Sequence, residues 1–149
     1  FIMKDAYSFD IDEEGLEVSP ARIWNEFRSA YLAPGATELV RFRVEASDEE
    51  AETISAIVRV AGVETTVAGA GTGPIDAFVD ALRQRGTIVG VRDFHEHALD
   101  RGEDARAAAY VEIAIDGRTH WGVGIHESIV RASLSAILSA LNRAGVPLA

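Results

Sequence analysis

From Thr37 onward apolar and polar residues alternate: Val40, Phe42 and Val44 are interleaved with Arg41, Arg43 and Glu45, and after an acidic turn Ile54, Ala56, Val58 and Val60 repeat the pattern. A period of two puts one set of side chains on each face of a strand, so both stretches are predicted as half-buried β-strands. Ala61-Gly62 separates Val60 from Val63 and predicts a tight hairpin into a third strand ending near Ala68. The period then changes. After the turn GAGTGP, Ile75, Phe78, Val79 and Leu82 follow the i, i+3, i+4, i+7 spacing of an amphipathic helix that stops at Gly86.

The same order of elements returns. Thr87 to Leu99 is strand-like, Ala107 to Ile115 alternates, Asp116-Gly117 is a strong two-residue hairpin signal, and Arg118 to Ile125 runs back as a strand. A last helix presents Val130, Leu134, Ile137, Leu138 and Leu141 on one face. One shift along the chain carries Gly62 onto Gly117, Gly69 onto Gly124, Ala77 onto Ala132 and Ala81 onto Ala136, which points to a duplicated unit. The expected fold is α+β: two pseudo-twofold-related βββα units, about 37–86 and about 87–146, each packing a helix on an antiparallel sheet within a domain of residues 37–149. Exposed sheet edges and spare apolar helix surface predict a homodimer.

Residues 1–36 read differently. FIMKDAYSFDIDEEGLEVS is acidic and weakly patterned, and Ser19-Pro20 supplies a cap and a first-turn proline for a helix at about 20–32. Ile23, Trp24, Phe27, Ala30 and Tyr31 give that helix one apolar face before Pro34-Gly35 ends it. The segment is predicted as a linker or subdomain remnant, and Phe1-Ile2-Met3 as the interior of a longer polypeptide.

Charge narrows the partners. With 24 acidic against 14 basic residues the net charge is -10, so the averaged potential repels phosphate backbones and anionic lipid heads, and neither nucleic acid nor a membrane surface is an expected partner. There is no cysteine for a disulfide, a thiolate metal site or a cysteine nucleophile. No apolar run approaches the roughly 20 residues that span a bilayer, and a cytoplasmic location is expected.

Candidate chemistry concentrates at Gly71-Thr72-Gly73-Pro74, a turn at a helix N-terminus where unpaired N–H groups and the helix dipole favour a carboxylate or phosphate. The plainer reading is turn chemistry, with Gly for positive φ and Pro to open the helix; no Gly-Lys-Ser/Thr follows, so it is not a phosphate-binding loop of that kind. Asp76 either answers the dipole or faces the ammonium of an amino-acid ligand. The run Ala105, Ala107, Ala108, Ala109 beside Val91 and Phe94 either leaves room for a small apolar ligand or reflects close packing. His95 and His97 share a strand face but lack a third ligand at motif spacing and read as surface or interface residues. Asp100, Glu103 and Asp104 around Gly102 lack calcium-loop spacing. Trp121, alternating with Val123 and Ile125, reads as core or interface.

Four segments, GAGTGPIDAFVDAL (69–82), VRDFHEHAL (91–99), DARAAAYVEI (104–113) and WGVGIHESIVRASLSAILSALNR (121–143), resemble in order and spacing the C-terminal regulatory domain of 2-isopropylmalate synthases, and EVSPARIWNEFRSAYL resembles that family's linker helix. The resemblance implies a duplicated βββα dimer that binds leucine as feedback inhibitor near its interface. It implies an acyltransferase whose catalytic barrel condenses acetyl-CoA with 2-oxoisovalerate at a divalent metal. No barrel sequence lies in these 149 residues, so no catalytic residue, metal ligand or cofactor is expected in them, and the barrel itself is an expected partner. By position, the ligand's charged end meets Gly71, Thr72, Gly73 and Pro74 with Ile75 and Asp76 adjacent, and its side chain meets Val91, Phe94, Ala98, Ala105, Ala107 and Ile129. Thr72 stands where the family often has Asn or Asp, and Phe94 where it frequently has an aromatic hydroxyl. Two alternatives stand beside leucine regulation: an isoleucine-binding domain of a citramalate synthase, and a dimerisation module with a degenerate pocket.

Overall fold

The computed structural model describes residues 35–46 and 51–148; the helix expected at about 20–32 lies outside them. Strands β1 (Thr37–Ala46), β2 (Glu52–Val60) and β3 (Val63–Gly71) precede helix α1 (Pro74–Gln84), and β4 (Gly90–Ala98), β5 (Ala107–Ile115) and β6 (Arg118–His126) precede α2 (Ile129–Ala144). Each triplet forms an antiparallel meander, β1-β2-β3 and β4-β5-β6, and the architecture is two βββα units.

The duplication reaches into backbone detail. Both hairpins turn through two consecutive positive-φ residues, Ala61 and Gly62 at 48° and 86°, Asp116 and Gly117 at 48° and 75°, the twist that suits a two-residue connection. The first strand of each sheet is bulged at an equivalent place. Val40 is the extra residue between Leu39, opposite Val58, and Arg41, opposite Ile57; Arg92 is the extra residue between Val91, opposite Ile113, and Asp93, opposite Glu112. The shift carrying Gly69 onto Gly124 also carries Val58 onto Ile113. Leu39 and Val91 are offset differently because the β4–β5 connection is longer than the β1–β2 connection.

Small residues set the helix-to-sheet distance. A Cβ on Gly69 would run into the Ala77 carbonyl and the Ala81 amide, and a Cβ on Gly124 into the Ala132 carbonyl and the Ala136 amide. The four alanines of these pairs are fully buried, so the matched glycines and alanines of the two repeats are one packing device used twice. The core is shared by both units: Val58, Val67, Phe78 and Leu82 from the first and Val111, Ile113, Leu134, Ile137 and Leu141 from the second are buried in one cluster. Each such side chain contributes about 1.5 to 3 kcal/mol on burial.

Two boundaries differ from the sequence reading. β3 continues past Ala68 to Gly71, paired with Glu52. β4 begins at Gly90, later than the pattern from Thr87 suggests. Gly86 is left-handed, the Thr87 amide donates back to the Leu82 carbonyl at 3.0 Å, and the Val89 carbonyl is taken by the Arg83 side chain. Those groups are engaged by the helix end before the strand can use them.

Candidate ligand-binding groove

The amides that open α1 lack an internal cap. Gly73 is the N-cap, in extended backbone and without a side chain to accept a hydrogen bond, and Pro74 has no N–H. The Ala77 amide is satisfied by the Gly73 carbonyl at 2.9 Å, which leaves the Ile75 and Asp76 amides as the donors of the first turn. Asp76 bends back over the preceding turn, where its Oδ2 accepts from the Thr72 amide at 3.0 Å and the Thr72 hydroxyl at 3.4 Å. Gly71 is required beneath it, because a Cβ there would meet Asp76 and the Ala77 amide.

Asp80, one turn further, holds the end of β3 to α1. Its Oδ2 accepts from the Ala70 amide at 3.0 Å and from Gln84 at 2.8 Å. The Ala70 hydrogen bond is the main reason its carboxyl lies below the usual carboxylate range, with Gln84 adding to the effect.

Between α1 and the start of β4 lies an open groove of about 530 Å³, lined by Thr72, Gly73, Pro74, Ile75, Asp76, Val79, Arg83 and Val91. That volume is in the range of small-molecule sites. One end is polar, formed by the α1 N-terminus and Asp76, and the walls are apolar, formed by Ile75, Val79 and Val91. Arg83 closes the other end. Its Nε and Nη2 donate to the Val89 carbonyl at 3.2 and 2.9 Å, tying the helix of the first unit to the strand entry of the second. A smaller depression of about 390 Å³ lies on the first sheet among Arg43, Glu45, Thr53, Ser55, Ala68, Ala70 and Gln84.

The groove gathers Thr72, Gly73, Pro74, Ile75, Asp76 and Val91 from the residues singled out in the sequence, with Gly71 supporting the turn. The others sit elsewhere. The register places Val91, Phe94 and Ala98 of β4 on one sheet face with Ile113, Val111 and Ala107 of β5. At about 3.3 Å per residue this face runs roughly 20 Å from Val91 to Ala98, far longer than one amino acid. Phe94 packs against the core midway, Ala107 pairs with Ala98 at the far end, and Ile129 is the exposed first residue of α2. Ala105 lies in the β4–β5 connection, its amide 3.3 Å from the Gly102 carbonyl. Ala108 and Ala109 are fully buried, so that part of the alanine run packs closely.

Val79 and Arg83 extend the set. Val79 carries a signal in its spacing four residues after Ile75, though the pattern alone assigns it to the core. Nothing in the sequence marks Arg83, whose guanidinium reaches the Val89 carbonyl just before β4.

The histidines lie apart from the groove's lining. His95 Nε2 is 3.0 Å from Asp93 Oδ2, and His97 stacks on Tyr110 with ring centroids 5.6 Å apart and planes 7° from parallel. Burial pushes the His97 imidazole below its ordinary pKa. Asp100 pairs with Arg106 at 3.0 Å, which holds its carboxyl low. Among the described residues no group of three or more His, Cys, Asp or Glu side chains is arranged to hold a metal ion, and no helix is long and apolar enough to cross a membrane.

Residues 17–145 match a family model described as the LeuA allosteric (dimerisation) domain. The chain is similar to 2-isopropylmalate synthase of Thermobifida fusca (strain YX), at 50% identity over 133 residues, covering 89% of this chain and 23% of that protein. It is similar to the 2-isopropylmalate synthase of Mycobacterium leprae (strain TN), at 47% identity over 134 residues, covering 88% and 22%. To that of Parafrankia sp. (strain EAN1pec) it is 41% identical, covering 97% and 29%. The chain therefore spans less than a third of the length of each of these relatives.

Proposed function

Because the chain belongs to the LeuA allosteric (dimerisation) domain family, we propose that it is the regulatory part of a 2-isopropylmalate synthase and that the α1–β4 groove receives leucine, as feedback effector, in a homodimer. The observation that carries this reading is the division of the groove into an uncapped helix N-terminus beside a carboxylate and an apolar trough of Ile75, Val79 and Val91. A free amino acid has that layout. Its carboxylate suits the Ile75 and Asp76 amides, its ammonium suits Asp76, and its branched side chain suits the trough. The catalytic barrel, its divalent metal and the condensation of acetyl-CoA with 2-oxoisovalerate belong, in this reading, to the remainder of the enzyme.

Leucine burial contributes about 1.5 to 3 kcal/mol, whereas micromolar affinity needs about 8 kcal/mol. The charged groups must supply most of the difference, and they do so more strongly when water is excluded. An open groove excludes little water by itself. A second copy laid over the groove supplies the missing wall, and the sheet-face residues Phe94, Ala98 and Ala107, with Ala105 and Ile129, are then contributed from the other protomer. Ile88, 79% exposed in the connection between α1 and β4, suits such a cover. A preference of leucine for one arrangement of the two protomers, worth 1 to 3 kcal/mol, would give roughly 5- to 150-fold control over attached catalytic parts.

The test is calorimetric titration of the chain with leucine and, separately, isoleucine, alongside light scattering for mass. Saturable leucine binding to a dimer supports the reading. Isoleucine binding alone would assign the domain to a citramalate synthase, and no binding of either by a dimer would leave a dimerisation module.

A further inference from the structure

The duplication gives the α1–β4 groove an equivalent position between α2 and β1, and a side chain lies across it. The shift that carries Gly69 onto Gly124 carries Gly73 onto Ser128, Ile75 onto Val130 and Asp76 onto Arg131, while the shift that matches the two bulges carries Val91 onto Leu39. In the first unit Asp76 is exposed and folds back onto Thr72, leaving the space between α1 and Val91 open. In the second unit Arg131 is half-buried and crosses to the opposite wall. Its Nη2 donates to the Leu39 carbonyl and to the Val40 carbonyl, both at 3.0 Å. Leu39 is the counterpart of the groove residue Val91, and Val40 is the bulged residue beside it, so the guanidinium lies where the equivalent groove would run.

We infer that Arg131 is a built-in occupant of a second ligand groove between α2 and β1, and that this groove, once vacated, takes a small alkylguanidinium cation. Two backbone carbonyls converging on one Nη2 favour a charged donor over a neutral one. Leu39 and Val130, both packed against the core, offer apolar flanks to a short alkyl chain. The native consequence is that each chain offers one effector site although its fold is duplicated: an acidic residue leaves one groove open and its basic counterpart fills the other. This inference rests on reading the first groove as the ligand site, but its test involves no leucine.

The full chain carrying Arg131→Ala is titrated with ethylguanidinium, followed by calorimetry, melting temperature and the amide shifts of Leu39 to Arg41, with ethylammonium at matched ionic strength as control. The variant is expected to melt below the wild type, to bind one ethylguanidinium per chain at least tenfold better than ethylammonium, and to regain melting temperature as it does so. The wild type is expected to show no such binding. Should Arg131→Ala fold only with help, ethylguanidinium-dependent refolding is scored the same way, and Arg131→Lys serves as a cation-retaining comparison. Absence of saturable binding or rescue in the variant, or equal binding by the wild type, overturns the inference. Failure of leucine to bind the wild type would overturn the reading of the first groove and leave an ethylguanidinium result intact.

Discussion

The side-chain amide of Asn142, in the last turn of α2, exchanges two hydrogen bonds with the backbone of Thr37 at the start of β1: Nδ2 donates to the Thr37 carbonyl at 2.8 Å and Oδ1 accepts from the Thr37 amide at 3.0 Å. Thr37 is buried and pairs with Val60 on its other side, so Asn142 acts as a one-residue strand on the open edge. In the other unit, Arg83 of α1 holds the Val89 carbonyl at the counterpart position. Each helix therefore grips the chain where the first strand of the opposite unit begins.

Asn142→Ala leaves a buried amide and carbonyl without partners. The expected loss is about 1 to 3 kcal/mol in urea-induced unfolding. A loss under about 0.5 kcal/mol would show that the grip contributes little.

Gly69→Ala and Gly124→Ala each force a methyl group into helix backbone, in α1 and α2 respectively. Overpacking against an unyielding neighbour costs about 1 to 3 kcal/mol, and thermal melting of both variants should fall together. Gly73→Ala is the contrast: its Cβ meets nothing and its φ of -168° is open to any residue. Stability should stay within about 0.5 kcal/mol of wild type, while leucine affinity falls because the methyl group sits at the mouth of the groove.

Ala61 holds a left-handed φ of 48° that an alanine adopts at a cost of roughly 1 kcal/mol. Asn tolerates that conformation better, so Ala61→Asn should raise stability by about 0.5 to 1 kcal/mol. Asp116→Ala should lower it comparably at the other hairpin. A loss from Ala61→Asn or a gain from Asp116→Ala in chemical denaturation would refute the pairing of the two turns.

His97 has a folded pKa below its unfolded value because burial disfavours the imidazolium. Its neutral form is the one the fold prefers, so stability is intact above the unfolded pKa and declines as pH falls from there through the folded pKa. Melting temperatures at pH 7.5 and pH 5 should differ less in His97→Phe, which keeps a ring to stack on Tyr110, than in the wild type. An unchanged difference would remove His97 from the acid response.

Much of this was legible in the linear pattern. The alternation around Phe42 and Ile54 and the four- and three-residue spacing of Ile75, Val79 and Leu82 name their elements, because one buried face per element forces the period. The repeat is visible in Gly69 and Gly124, although the reason, a helix backbone pressed against each, needs three dimensions. The bulges at Val40 and Arg92 are not legible, since alternation resumes on either side and one extra residue leaves only a phase slip. Nor is the spread of the expected ligand contacts. Gly73 and Ala98 belong to one motif set along the chain, yet the sheet face from Val91 to Ala98 separates them by more than a ligand's length. Arg83 and Arg131 escape pattern reading because long basic side chains reach partners that spacing does not encode.

The central claim is that the groove between α1 and β4 is the amino-acid site. Backbone amide spectra of the isotope-labelled chain, recorded through a leucine titration, test it most directly. Saturable shifts are expected at Thr72, Gly73, Ile75, Asp76, Val79 and Val91, with Arg131 and its neighbours Leu39 and Val40 little changed. No shift at millimolar leucine, or shifts confined to the depression around Ser55 and Ala68, would contradict it.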